Sequence, residues 1–197
     1  MLKVGITGGI GSGKSVVSKI IETMGYPVFN SDEIAKTIVN NNANVRKELE
    51  ELFGPEVYSD NVLNKQFLAK IIFSDDTARE KVNSVIHPRV HTAFDDFTKG
   101  SVSNIVFNEA AILFETGGYK QMDKMVLVTA PKSLKVERVC KRDGVEEKDV
   151  HARMNKQWLD DQKAPLSDYI ITNDEIHPLV TQVEQLIEKL SSAAMSN

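Results

Sequence analysis

Five short apolar runs rich in β-branched residues recur along the chain, from Leu2 to Thr7, Pro27 to Asn30, Asn104 to Asn108, Lys124 to Thr129 and Asp168 to Thr172. Stretches such as Ile105-Val106-Phe107 and Met125-Val126-Leu127-Val128 do not alternate with polar residues, as expected of strands covered on both faces. Between the first two runs, Val17, Ile20, Ile21 and Met24 recur at helical spacing, and Gly25 is placed to end that helix. The first thirty or so residues therefore read as a βαβ unit. The whole pattern predicts an α/β fold with a five-stranded parallel sheet flanked by helices.

The intervals between strands are unequal. The long span between the second and third runs is helical in pattern: Val45, Leu49, Leu52 and Phe53, then Phe67, Leu68, Ile71 and Ile72, then Val82, Val85 and Ile86, with a further helix expected to open at Pro88. Such a span exceeds what a crossover needs, so residues 33–100 read as a helical insertion that holds a substrate. Residues 132–163 form a second charged, helical insertion, with nine Lys and Arg against seven Asp and Glu. This basic segment has the character of a lid closing on an anion. The core is then residues 1–32, 101–131 and 164–190 of a single domain spanning 1–197, and Ser191 to Asn197 read as a frayed tail.

Composition narrows the function classes. At 197 residues, 41% hydrophobic and 26% charged, the chain is an ordinary globular protein long enough to bury a core. The net charge of −4 argues against a general nucleic-acid binder, although the lid carries +2 and the remainder −6. Cys140 is the single cysteine, which excludes an internal disulfide framework and fits a reducing compartment. No apolar run reaches the roughly 20 residues that span a bilayer, and the N-terminus has no apolar h-region of a signal peptide. The expectation is a cytoplasmic protein with no membrane, nucleic-acid or obligatory protein partner.

The strongest chemical signal is Gly8-Gly9-Ile10-Gly11-Ser12-Gly13-Lys14-Ser15, a complete G-x-x-x-x-G-K-[ST] phosphate loop between a predicted strand and a predicted helix. Glycines let successive main-chain N–H groups turn inward, and the helix N-terminus adds its positive dipole, so the loop from Gly8 to Val16 is expected to hold a triphosphate. Lys14 supplies charge to the β- and γ-phosphates. The Ser15 hydroxyl is the expected Mg²⁺ ligand. No glycine has an Asp three positions before it, and Asn64-Lys65-Gln66-Phe67 fails the last position of N-K-x-D, so a GTPase is disfavoured and an ATP-dependent kinase preferred. Phosphoryl transfer also needs a group to receive or orient the proton of the attacking hydroxyl. Asp32, just after the second strand, either fills that role or caps the helix that follows it.

At this point the chain resembles the dephospho-coenzyme A kinase family. Thr7 to Ser15 match its loop, Asn30-Ser31-Asp32 its second motif with Asn for the first Asp, and His87-Pro88-Arg89-Val90 its H-P motif. Ala111-Ile112-Leu113-Phe114-Glu115 match the segment after the third strand with Ala for Pro, and Glu109 stands where the family has Asp. Arg142-Asp143 and the spacing of Arg153 and Gln157 match the lid, and Asp168-Tyr169-Ile170-Ile171-Thr172-Asn173 matches the final motif.

The resemblance implies a P-loop kinase with a helical acceptor-binding insertion and a lid, moving the ATP γ-phosphoryl to the ribose 3′-hydroxyl of dephospho-coenzyme A. It implies Asp32, Lys14 and Arg142 as catalytic residues. Arg138 and Asn173 join the loop in holding the nucleotide, with Arg138 also competing with Arg142. Asp32, His87, Leu113 and Glu115 face the acceptor, and Ser15 and Glu109 serve the metal. His87 alternatively caps a helix. Trp158 and Tyr119 either line the acceptor pocket or simply pack. A nucleoside or nucleoside-monophosphate kinase, or a slow NTP-hydrolysing switch, remains the alternative.

Overall fold

The computed structural model describes residues 1–195. Along the chain run β1 (Leu2–Thr7), α1 (Lys14–Thr23), β2 (Val28–Asn30), α2 (Ser31–Asn41), α3 (Ala43–Phe53), β3 (Tyr58–Ser59), β4 (Val62–Leu63), α4 (Lys65–Ser74) and α5 (Asp76–Gly100). They are followed by β5 (Ile105–Glu109), β6 (Lys124–Thr129), α6 (Lys132–Asp143), α7 (Glu147–Met154), α8 (Asp160–Lys163), β7 (Tyr169–Thr172) and α9 (Leu179–Met195). These elements fall into two compact units, Met1–Asn30 with the chain from Ser101 onward, and Ser31–Gly100.

The first unit holds a parallel sheet in the order β2-β5-β1-β6-β7. Val4, Ile6, Phe107, Val126, Val128 and Ile171 form its buried face, against Val17 and Ile21 of α1 and Val183, Leu186 and Leu190 of α9. Tyr26 meets Phe107 edge-on, with ring centroids 6.2 Å apart. On the other side Ala110, Leu113, Phe114 and Met125 make a smaller cluster. Burial on both faces explains why the central runs lack alternation. Because β1 is the middle strand, the glycine loop leaves from the centre of the carboxyl edge, where ligands of open α/β sheets bind.

Strand boundaries differ from expectation by one residue in several places, most usefully at β5, which continues to Glu109. The end of the chain is a clearer correction. Ser191 to Met195 are the last turn of α9, because Leu186 and Leu190 bury its apolar face on the sheet. Ser196 and Asn197, the rest of the expected tail, lie outside the described residues.

In the second unit α2, α3 and α4 pack on α5 around Val39, Val45, Leu49, Val57, Leu68, Val82 and Val85. Asn42 caps α3, accepting the Asn44 and Val45 N–H groups at 3.0 and 3.2 Å, and Asn64 caps α4 through the Phe67 N–H at 3.1 Å. Pro88 does not open a helix but lies inside α5. An interior proline forgoes one helical hydrogen bond, a cost of about 3 kcal/mol in an isolated helix. Here the packing of three helices along α5 overrides it, and Arg89 Nη1 donates to the Val85 carbonyl beside the interruption. The β3–β4 hairpin was not anticipated. Its two turn residues, Asp60 and Asn61, both have positive φ, the geometry of a tight two-residue hairpin and one that Asp and Asn tolerate.

Phe107 is fully buried at the middle of the sheet. Phe107→Ala is expected to lower unfolding free energy by about 3–5 kcal/mol in urea denaturation followed by circular dichroism. A loss below about 1 kcal/mol would contradict its place in the core.

Candidate active site

Between Thr7 and Lys14 the chain turns back on itself: the Ser12 N–H donates to the Gly9 carbonyl at 3.1 Å, and the Val16 and Val17 N–H groups reach the Gly13 carbonyl at 3.0 and 3.2 Å. Gly11 and Gly13 have φ of 79° and 91°, a region that side chains rarely enter. Space forbids side chains there as well. A Cβ on Gly11 would stand 2.4 Å from the Lys135 carbonyl oxygen, and one on Gly13 would stand 2.0 Å from Asn173 Nδ2. The loop is thus bare backbone opening into a helix N-terminus, a combination that attracts phosphate. The buried Lys14 Nζ donates to the Gly8 and Gly9 carbonyls at 2.9 and 3.4 Å, so its charge lies across the loop, while Ser15 and Val16 are exposed on the first turn of α1.

Different elements support the two flanks of this loop. On the β6–β7 side, Asn173 takes the Thr129 carbonyl through its N–H at 2.8 Å and donates from Nδ2 to the Ser12 carbonyl at 2.9 Å. Arg138 from α6 closes this flank, with Nη1 on the Asn173 carbonyl at 3.1 Å and Nη2 on Glu175 at 2.9 Å. On the other flank, Gln157 Oε1 accepts the Ile10 N–H at 2.8 Å, and Lys135 pairs with Asp160 beside Gly9. The segment that contains Gln157 then runs back toward the strand on the opposite side of β1.

There β5 brings Glu109 to the carboxyl edge, buried and in register with Asn30 of β2, whose Nδ2 donates to Glu109 Oε2 at 3.5 Å. Two of the three positions at which the chain departs from the family pattern, Asn30 and Glu109, are therefore neighbours. Beyond Glu109, Leu113 is buried with Ala110, Phe114 and Met125. Glu115 accepts on Oε1 from Lys163 Nζ at 2.8 Å and from the Trp158 N–H at 2.9 Å, whereas its buried Oε2 has no hydrogen-bond partner among the described residues. Lys163 is fully buried and also reaches the Ala111 carbonyl at 3.5 Å.

The remaining expected site residues have partners of their own. Arg142 turns to its neighbour Asp143, with Nε 2.7 Å from Oδ1, and Arg153 Nη1 reaches the same carboxylate at 2.8 Å. The Arg142 guanidinium holds the Asp143 carboxyl below the usual range and is itself raised. Asp32 and His87 belong to the second unit. Asp32 is exposed in the first turn of α2, which opens at Ser31, so Asp32 is not the residue preceding the helix. His87 is half-buried on α5, with its ring stacked 6.4 Å from His91. Among the described residues no group of three or more His, Cys, Asp or Glu could hold a metal ion.

Sequence reasoning named Gln157 only for its spacing and overlooked Lys135, Asp160 and Lys163. Their charges looked like those of any solvated lid, and only the three-dimensional pairing distinguishes them. Trp158, expected either to line the acceptor pocket or simply to pack, lies between α7 and α8 and is 41% exposed.

The family model for dephospho-CoA kinase matches residues 2–179. The dephospho-CoA kinase of Bacteroides fragilis (strain YCH46) is 42% identical over 187 residues, covering 94% of this chain and 91% of its own. Among solved structures, TT1252 from Thermus thermophilus aligns with a TM-score of 0.85 and 30% identity over 98% of this chain and 97% of its own. The dephospho-CoA kinase from Campylobacter jejuni shares the fold, with a TM-score of 0.68 at 22% identity over 97% of this chain and 98% of that one.

Two expectations follow from the geometry. Gly13→Ala forces Asn173 off the loop, and equilibrium dialysis should find ATP affinity at least tenfold weaker; unaltered affinity would show that the contact is not needed. Burial, and then the charge of His91, hold the His87 imidazole below its ordinary 6.5. The unfolded chain therefore takes up this proton first, so the contribution of His87 is complete above about pH 6.5 and is lost as pH falls below it. Thermal melts at pH 7.5 and 5.5 should show a smaller acid-induced drop in His87→Gln than in the parent, and equal drops would contradict the assignment.

Proposed function

The chain belongs to the dephospho-CoA kinase family, and from that premise we propose how its residues carry the ATP-dependent phosphorylation of dephospho-CoA. The observation that carries the kinase chemistry is the glycine loop, with Lys14 buried across it. The Ser12 hydroxyl, buried without a hydrogen-bond partner among the described residues, and the space too small for a Cβ at Gly11 and Gly13 suit a ligand bound by main-chain N–H groups. Other small-molecule kinases and an NTP-hydrolysing switch are not favoured by the family match.

In the proposed arrangement the loop from Gly8 to Val16 binds the triphosphate through those of its N–H groups that are not donated within the fold, and Lys14 exchanges loop carbonyls for β- and γ-phosphate oxygens. Arg138 and Asn173 bound the nucleoside on the β7 flank. Ser15 and Glu109 offer hard oxygens suited to Mg²⁺, which takes only one or two protein ligands and completes its shell from phosphate and water. When bound, such an ion neutralises charge on the β- and γ-phosphoryl oxygens. Asn30 orients the Glu109 carboxylate without adding a second negative charge.

Asp32, two residues beyond the end of β2 in the chain, orients the ribose 3′-hydroxyl and receives its proton as the bond to phosphorus forms. Arg142 is the lid cation for the transferring phosphoryl, exchanging Asp143 for it on closure. His87, Leu113 and Glu115 serve the acceptor, with Leu113 supporting the segment from the core. The reading includes a cytoplasmic location; among the described residues no helix is long and apolar enough to cross a membrane.

ATP consumption with dephospho-CoA, AMP, CMP or uridine as acceptor tests this function. Stimulation is expected with dephospho-CoA; hydrolysis indifferent to every acceptor, or stimulated only by AMP or CMP, would overturn it. Lys14→Ala and Asp32→Asn should each lower turnover by about 10³-fold or more, and only Lys14→Ala should markedly weaken ATP binding. Full activity in Asp32→Asn would remove Asp32 from the chemistry.

A further inference from the structure

The lid mounts an exposed tryptophan in an unusual way. Gln157 is fixed to the phosphate loop through the Ile10 N–H at 2.8 Å, and the next residue, Trp158, has its own N–H fixed by Glu115 Oε1 at 2.9 Å. Leu159 follows, its N–H taken by Gln162 Oε1 at 2.8 Å. One side chain and the two main-chain N–H groups that follow it are thus tied down. The Glu115 carboxylate is held in turn by Lys163, whose fully buried ammonium stands 2.8 Å away. Burying an ammonium is costly unless it is well paired, and a mere surface turn does not require one.

The side chains on this mount face water. Trp158 is 41% exposed and Leu159 66% exposed, and among the described residues neither is part of the buried clusters around the sheet, after β5 or between α6 and α7. Two adjacent large apolar residues lie in a segment otherwise dominated by charge. A rigid backbone carrying an uncovered indole is the arrangement expected of a stacking surface for a flat ligand.

Sheet order indicates which ligand. Asn173 and Arg138 grip the loop at Ser12 and Gly13 from the β7 side, adjoining the start of α1. Gln157 grips it at Ile10, and Trp158 is tied to Glu115 in the segment after β5, on the other side of β1. The nucleoside of ATP, whose phosphates run toward α1, belongs to the first flank. A purine presented by the second substrate belongs to the other. A residue next to a loop contact is also within side-chain reach of a ribose whose hydroxyl must approach the transferred phosphorus.

Resting on the dephospho-CoA kinase reading, we infer that Trp158 is a specificity-determining residue that stacks on the purine base of the acceptor nucleotide. Glu115 and Lys163 are positioning residues that hold its backbone. Adenine presents a π face matching the indole, and covering it removes apolar surface from water in the same contact.

Trp158 is the only tryptophan in the chain, so its emission reports this contact directly. Dephospho-CoA should quench the intact protein saturably, AMP should do so more weakly, and a triphosphate without a purine, such as inorganic tripolyphosphate, should not. In steady-state kinetics Trp158→Ala should raise the KM for dephospho-CoA about tenfold or more, with the KM for ATP and kcat each within about threefold of the parent. Trp158→Phe should recover most of the loss, while Trp158→Leu, equally apolar but not aromatic, should not. Emission indifferent to dephospho-CoA, an unchanged acceptor KM in Trp158→Ala, or equal rises in both KM values would overturn the inference. A parent enzyme that does not phosphorylate dephospho-CoA would instead overturn the functional reading, so the two failures are distinguishable.

Discussion

A stretch of backbone without room for side chains governs the reactive edge of the first unit. At Gly11 and Gly13 the nearest atoms of α6 and Asn173 stand where a Cβ would be, so the loop keeps its course only while those neighbours stay in place. The neighbours depend on it in return: Asn173 spends its amide on Ser12, Gln157 spends its own on Ile10, and Lys14 folds over the carbonyls of Gly8 and Gly9. Main-chain N–H groups can only be presented to an anion by a chain held this tightly, because preorganised dipoles stabilise charge without a cost of reorganisation. The middle position of β1 makes the arrangement possible, since it leaves a supporting strand on either side.

Residues 132–163 illustrate how charge can mislead when it is counted rather than located. Their small positive excess suggests cations waiting for phosphate, yet Lys135 is paired with Asp160, Lys163 with Glu115, Arg138 with Glu175, and Arg142 and Arg153 share Asp143. The Lys163–Glu115 pair joins this segment to the one after β5, and the Lys135–Asp160 pair lies beside Gly9 of the loop. The exposed Arg142–Asp143 pair is the kind that contributes little to stability and exchanges readily. In the proposed function, this rigid attachment and the exchangeable Arg142–Asp143 pair let the segment close on one ligand geometry.

Much of this was legible in the sequence where one local cause dominates. The unalternating runs became the central strands because both faces are covered, and the glycine pattern became the loop because no other residue fits there. Leu186 and Leu190 already carried the helical repeat that keeps α9 ordered to Met195, but the small polar residues beyond them suggested fraying. Pro88 misled for a related reason: its local preference for a helix start is overridden by the contacts of α5 with three other helices. Lys163 was illegible. Nothing in Asp160-Asp161-Gln162-Lys163 distinguishes a fully buried ammonium from a solvated one, because its partner is Glu115, far away in the chain. The pairing of Asn30 with Glu109 was likewise hidden until the register of β2 on β5 made them neighbours.

In the proposed function the glycine loop presents ATP for direct transfer to the ribose of dephospho-CoA. Phosphorus NMR of a reaction run to completion follows the γ-phosphorus to its destination. Direct transfer gives one new phosphomonoester resonance, in amount equal to the ADP formed and coupled to the ribose 3′ proton, with little inorganic phosphate. Release of the γ-phosphorus as inorganic phosphate while dephospho-CoA remains unmodified would contradict it.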